Sequence, residues 1–213
     1  MSTAAQAIPG LIELGRDVPA LSAVSGLRNG DKVTTHGYYA RGDGGGNSYI
    51  YHATGRSLIT IDGGFFVVYG AGDGYLEAVD KRSANARQFG CVLDGATNDS
   101  VSLQAALTAC KHVVVDGIAS LTTGVTMSVA NSTLEFAHTG GIIYATPTMV
   151  ALTVSAANCR VIGGTVTAPA TFDATNNLPQ YSTIRVTASD CDIADITMVN
   201  VPKVGIEFRE VNG

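Results

Sequence analysis

Four stretches decide how this chain folds: Val125-Thr-Met-Ser-Val-Ala-Asn131, Leu152-Thr-Val-Ser-Ala-Ala-Asn158, Ile184-Arg-Val-Thr-Ala-Ser-Asp190 and Ile206-Glu-Phe-Arg-Glu-Val-Asn212 align without gaps. They start 27, 32 and 22 residues apart, a repeat unit of about 22 residues with insertions. In every copy the first and third positions are apolar and the second and fourth polar, the period of a half-buried strand. The seventh position is Asn131, Asn158, Asp190 and Asn212, where a short polar side chain tolerates a left-handed corner. Past the corner, Leu134, Val161 and Ile193 form a further apolar column, and Ser132, Cys159 and Cys191 a column of small residues. Strand, corner, strand at this spacing describes a parallel β-solenoid whose rungs stack ~4.8 Å apart. Val125, Leu152, Ile184 and Ile206 should therefore share one buried column, and Met127, Val154, Val186 and Phe208 the next.

A solenoid needs a cover over its first rung. Asp99 is placed to cap a helix running to Cys110, with Leu103, Ala106, Leu107 and Cys110 on one stripe, and the strand Val113–Val115 follows at once. Residues 83–213 read as the N-terminal part of the solenoid, and the stop at Gly213, just past a fresh corner, leads us to expect a longer polypeptide. Upstream, residues 21–82 hold strand-like runs at Lys32–Tyr39, Ser48–His52, Leu58–Ile61 and Phe65–Tyr69 between glycine turns, a small antiparallel module. Lys81–Gln88 is a polar connector. Residues 1–20 form a tail with room for a short helix around Leu11–Leu14. The fold class is all-β: an antiparallel β adaptor module, a capping helix, then the first rungs of a right-handed parallel β-helix.

Composition agrees. Gly makes up 25 of 213 residues and Trp is absent, which favours turns over a helical bundle. The net charge is −5, with 7 positive against 8 negative residues through Arg82 and 6 against 10 beyond it. Neither part offers the clustered Lys and Arg of a nucleic-acid groove, and no apolar run reaches transmembrane length. The N-terminus lacks the features of a signal peptide, and the four cysteines fit neither metal spacing nor a dense disulfide framework, so we expect free thiols made in a reducing compartment.

Leu27-Arg-Asn-Gly-Asp-Lys-Val33, Gly37-Tyr-Tyr-Ala-Arg-Gly-Asp-Gly-Gly-Gly46 with Tyr49 and Tyr51, and Phe89-Gly-Cys-Val-Leu-Asp-Gly-Ala-Thr-Asn-Asp99 followed by Leu103-Gln-Ala-Ala106 resemble bacteriophage tailspike proteins. The resemblance covers roughly residues 20 to 213. It implies an adaptor ahead of a pectate-lyase-like β-helix, a homotrimer, and a place on the virion after synthesis in the host cytoplasm. It also implies partners among phage tail or baseplate proteins or another tailspike, a binding role for residues 1–20, and depolymerase action on capsule or O-antigen by hydrolysis or β-elimination. Gly74-Tyr75-Leu76 departs from the pattern, standing where tryptophan after glycine is common.

Glycosidase chemistry needs paired carboxyl groups. Three acids are weak catalytic candidates: Asp173 in the insertion Pro169–Gln180, which reads equally as an irregular loop, Asp195 beyond the corner at Asp190, and Glu207. Glu207 follows Arg185 by one rung, which predicts an exposed stacked ion pair worth tenths of a kcal/mol. Gly42–Asn47 lacks the ending of a phosphate loop and reads as a hairpin turn. His36, His52, His112 and His138 share no metal spacing. Cys159 and Cys191 are close enough in one column for a bridge, though a reducing birthplace argues for free thiols. We expect no metal and no cofactor, and the catalytic rungs beyond Gly213. The rival readings are a non-catalytic tail fibre or adaptor and, disfavoured by the missing signal peptide, a secreted pectate-lyase-like enzyme.

Overall fold

The structure is a computed structural model that describes residues 11–14, 18, 21, 25–137, 139–146, 148–169, 182–201 and 204–209. Asp173, His138, Glu210 and Asn212 lie outside the described residues. The chain divides into two compact units, one of Met1–Lys81 with Arg87–Gly90 and one of Arg82–Ala86 with Cys91–Gly213.

The first unit is a five-stranded sheet of β1 (Leu11–Leu14), β2 (Lys32–Thr35), β3 (Ser48–His52), β4 (Phe66–Val68) and β5 (Tyr75–Ala78), in the order β1-β2-β3-β5-β4. All neighbours run antiparallel except β1, which lies parallel to β2 with Leu11 opposite Lys32. The expected helix at Leu11–Leu14 is thus a strand. Alternation along β2 and β5 sends Val33, Leu76 and Ala78 inward, where they join Tyr49, Phe65, Val67 and Phe89 in the core. Aspartates tie the turns. Asp43 accepts hydrogen bonds from the N–H groups of Tyr38, Tyr39, Ala40 and Gly45, at 2.7–3.1 Å. Burial pushes its carboxyl up, but those four donors outweigh burial and hold it below the ordinary value. The Gly42–Asn47 loop is therefore part of a hairpin connection built around the Asp43 carboxylate. The run Leu58–Ile61 is not a strand: Arg56–Leu58 forms a 3-10 turn, Leu58 is 87% exposed, and Asp73 takes the N–H groups of Gly55 and Ser57.

The second unit contains β6 (Ala84–Asn85), β7 (Asp94–Asn98), α1 (Ser100–Ala109), β8 (His112–Val115), β9 (Ile118–Leu121) and β10 (Val125–Met127). Next come β11 (Thr133–Phe136), β12 (Gly141–Tyr144), β13 (Leu152–Val154), β14 (Arg160–Ile162), β15 (Thr165–Thr167), β16 (Ser182–Val186), β17 (Asp192–Ala194), β18 (Thr197–Val199) and β19 (Val204–Phe208). They form three parallel sheets in the orders β10-β13-β16-β19, β17-β14-β11-β8-β6 and β18-β15-β12-β9-β7. One rung is one strand from each sheet, as in β8, β9 and β10. The connector at Lys81–Gln88 is more than a polar linker, since Ala84 and Asn85 pair in parallel with Val113 and Val114 and bury Ala84.

Register follows the repeat. Val125, Leu152, Ile184 and Ile206 are successive partners, as are Met127, Val154, Val186 and Phe208. The first three of each column are buried to 1% exposure or less, while Ile206 is half-buried and Phe208 is 67% exposed. β19 is the last described strand of its sheet, with a described neighbour on one side only. Val113, Leu134 and Val161 stack in the second sheet at 0% exposure. Each such side chain contributes about 1.5–3 kcal/mol by leaving water.

The corners are where the repeat puts them. Asn131, Asn158 and Asp190 have φ of 59°, 56° and 58°. Backbone bonds run on through two of these corners, Asn131 N–H to Ala157 O and Asn158 N–H to Ser189 O, so the turns stack like the strands. At the next corner Gly164 has φ +82°, and an added Cβ would sit 2.4 Å from the Phe136 Cβ.

The helix α1 covers the first edge of the stack by side-chain mimicry of a strand. β10 is the edge of its sheet, and the Gln104 amide supplies both missing partners: Nε2 donates to Thr126 O at 3.0 Å and Oε1 accepts from Thr126 N–H at 2.8 Å. Ser100 Oγ accepts from Thr122 and Thr123 N–H in the same way. Leu103, Ala106 and Leu107 face inward as expected. Asp99 occupies the cap position without making the cap bond, because its carboxylate is turned inward to Val92, Leu93 and Ser120, and Asn98 Oδ1 takes the Ser100 N–H instead. No described helix is long and apolar enough to cross a membrane.

Candidate functional site

Among the expected site residues, Glu207 is the one the fold surrounds with charge. Alternation on β16 and β19 turns Ile184 and Ile206 inward, so their neighbours Arg185 and Glu207 stack as an outward pair. Arg185 Nε lies 3.0 Å from Glu207 Oε2, Ser182 Oγ donates to the same oxygen at 2.9 Å, and Arg209 Nε reaches Oε1 at 2.7 Å. Side-chain exposure is 22% for Arg185 and 23% for Glu207, so the pair is partly shielded rather than freely exposed. Shielding comes from bringing three partners onto one carboxylate. The sequence pairing found Arg185 but missed Ser182 and Arg209. Arg209 was legible, because residues two apart on a strand share a face.

The electrostatics limit what this group can do. The Arg209 hydrogen bond, seconded by Arg185 and Ser182, outweighs partial burial and holds the Glu207 carboxyl down at about 2 against an ordinary 4.5. A glycosidase general acid needs the opposite perturbation, a raised value that keeps a proton near neutral pH. So low a value also makes a weak base, and a nucleophile whose oxygens are occupied by guanidinium groups must first break those bonds. In this arrangement Glu207 serves to bind β16 to β19.

Among the described residues, the acids Asp195 and Asp192 stand apart from it. Asp195 is exposed at the corner between β17 and β18, with φ 58°, aligned with the corner glycine Gly163 at φ 74°. Its position is explained by the turn. Asp192 faces out from β17, paired with Arg160 Nε at 2.9 Å on β14, in a different sheet from Glu207. His112 and Glu135 make a similar cross-rung pair at 2.9 Å. His52 Nε2 lies 2.9 Å from Glu77 Oε2 in the first unit, and Lys81 also contacts Glu77.

Among the described residues one carboxylate is deeply buried, and it was not among the expected site residues. Asp99 is 1% exposed and accepts from Val92 N–H at 2.7 Å, Leu93 N–H at 3.2 Å and Ser120 N–H at 3.4 Å. Burial pushes its carboxyl up, and the three donors offset this only in part. It fastens the backbone around Leu93, a non-glycine residue at φ 58°. Among the described residues no group of three or more His, Cys, Asp or Glu side chains is arranged to hold a metal ion.

No protein-family model matches the chain, and no curated protein does. Solved structures do. The tailspike gp49 of the Acinetobacter baumannii bacteriophage Fri1, a capsular polysaccharide depolymerase, superposes with a TM-score of 0.65 at 16% identity, covering 93% of this chain and 40% of its own. Full-length tailspike protein 2 of the Escherichia coli O157:H7 bacteriophage CAB120 gives 0.62 at 12% identity, over 92% of this chain and 32% of its own. The tailspike protein of the Acinetobacter phage vB_ApiP_P1 gives 0.57 at 18% identity, over 96% of this chain and 41% of its own. The chain thus spans about a third to two fifths of the length of the solved structures it matches. Its fold is that of a phage tailspike parallel β-helix.

Proposed function

We propose that this chain is the virion-attachment part of a phage tailspike whose full-length polypeptide binds and degrades bacterial surface polysaccharide, capsule or O-antigen. The observation that carries this reading is the order of parts: a small aspartate-tied sheet, a capping helix, and rungs of three parallel sheets, matched over 93% of the chain by a capsular polysaccharide depolymerase. In this reading residues 1–20 and 21–82 attach to a phage tail or baseplate protein or to another tailspike. Residues 83–213 begin a pectate-lyase-like β-helix in a homotrimer. Catalytic rungs lie further along the polypeptide, because Glu207 is locked to two arginines and Asp195 belongs to a turn.

The held carboxylates would equally suit a non-catalytic fibre or adaptor. Incubating host capsule or O-antigen with this chain and with the full-length polypeptide separates the readings. New reducing ends or unsaturated uronate with the long chain alone support the proposal. Products from neither favour the fibre. Products from the 213-residue chain, abolished by Asp195→Ala or Glu207→Ala, would move the active site into these rungs.

A further inference from the structure

We infer that Cys159 and Cys191 form an oxidisable pair that staples two successive rungs of the solenoid. The inference rests on rung geometry and is independent of the proposed function. Each cysteine directly follows a left-handed corner, Asn158 or Asp190, and directly precedes a strand. The two strands are in register, with Arg160 opposite Asp192, and Asp192 N–H donates to Cys159 O at 2.9 Å. Cys191 therefore stands one rung above Cys159, at a spacing of ~4.8 Å, within the Cα separation of about 4.4–6.8 Å that a disulfide spans.

The thiols share a direction as well as a column. One rung below, Ser132 Oγ lies 3.3 Å from Cys159 Sγ, so the first two members of this column touch. Both thiols lean toward the preceding rung in the same manner: Cys159 Sγ donates to Val129 O at 3.3 Å, and Cys191 Sγ to Ala156 O at 3.5 Å. Val129 and Ala156 hold the same place in the repeat, two residues before the corner. Cys191 thus points at the rung that contains Cys159. Cys159 and Cys191 are both reduced thiols in the structure. Closing a bond asks the Cβ atoms to come within about 3.5–4.5 Å. Both cysteines are corner residues, each one position ahead of its strand, so the approach is made at the corner and not within the ladder.

Exposure assigns the order of events. Cys159 is 1% exposed, whereas Cys191 is only half-buried and so the more accessible of the two to a small oxidant. With a low-molecular-weight disulfide such as oxidised glutathione, the Cys191 thiolate attacks one sulfur and releases one glutathione thiolate. Cys159 then gives its proton to solvent, attacks the Cys191 sulfur of the mixed disulfide and releases the second glutathione. Two protein thiols lose two electrons, and one small disulfide becomes two thiols. The product closes rung 159–191 into a covalent ring.

The test treats the folded chain with oxidised glutathione, followed by peptide mapping in the mass spectrometer and thermal unfolding. The expected product is a chain lighter by two hydrogens, with a Cys159–Cys191 crosslinked peptide and a Tm raised by roughly 5 °C. Cys159→Ser, which places the Ser132 side chain one rung higher and so keeps the fold, should stop at the mixed disulfide on Cys191. A wild-type chain that also stops at the mixed disulfide, or that forms only bridges between chains, would overturn the inference. A Cys159–Cys191 bridge that leaves Tm unchanged would overturn the stapling role.

Discussion

The column of Met127, Val154, Val186 and Phe208 allows burial to be set against side-chain size. Val154 is 0% exposed between Met127 and Val186, each at 1%, whereas Phe208 at the edge is 67% exposed. Truncating Val154 to Ala removes two methyl groups at ~0.8 kcal/mol each. The strands above and below are held by ladder hydrogen bonds and cannot collapse into the gap, so a cavity term brings the loss to about 2–3 kcal/mol. A fully buried Phe would lose 3–5 kcal/mol on truncation. Phe208 buries about a third of its ring, roughly 70 Å², of which Ala retains part, so Phe208→Ala should cost about 1 kcal/mol. The smaller truncation is expected to do the greater harm. Urea unfolding followed by circular dichroism, with unchanged slope, measures both. Phe208→Ala proving the more destabilising of the two would refute the ladder as the source of the core.

Glu207→Gln should lose its effect in acid: the folded carboxyl titrates near 2 and the unfolded one near 4.5, so its stabilisation is complete above about pH 4.5 and disappears as pH falls toward 2. Wild type and variant, compared by denaturation between pH 2 and 7, should converge at the low end. Asp99→Ala removes the side-chain acceptor of the buried Leu93 N–H and of the half-buried Val92 N–H and should cost about 1–3 kcal/mol. Because burial raises the Asp99 value, its contribution is greatest in acid and falls as pH rises through that value, and Asp99→Asn should remove this dependence from a stability–pH curve. Gln104→Glu keeps an acceptor for Thr126 N–H but sets a carboxylate against Thr126 O, so it should lower Tm more than a surface Gln→Glu change and speed amide exchange at Thr126.

What the sequence made legible is what repeats. Val125, Leu152 and Ile184, their corners at Asn131, Asn158 and Asp190, and the Arg185–Glu207 pair one rung apart were all readable, because stacking copies identical side chains into one environment. The third sheet, β9, β12, β15 and β18, was not singled out, although Ile118-Ala-Ser-Leu121 and Thr165-Val-Thr167 alternate in the same way. Segments decided by distant partners were misread. Leu11–Leu14 is too short for its apolar pattern to distinguish helix from strand, and β2 decides the matter by pairing with it. Asp73 decides Arg56–Leu58 from seventeen residues beyond the turn's first residue, a polar contact that no local propensity carries. At the site, Glu207 was found through its neighbour one rung away, while Ser182 escaped because it bonds diagonally across the sheet.

The third corner of the rung bears on how such a gene can change. Residues 145–151 join β12 to β13, residues 168–181 join β15 to β16, and residues 200–203 join β18 to β19, yet the register of the flanking strands is unbroken across all three. The ladder counts strands and ignores the length of chain between them. Codons can therefore be gained or lost at this corner without a compensating change elsewhere, while a single codon inserted within β13 or β16 would turn every following side chain of that strand to the wrong face. Related genes should differ most in length at this corner and least within the strands.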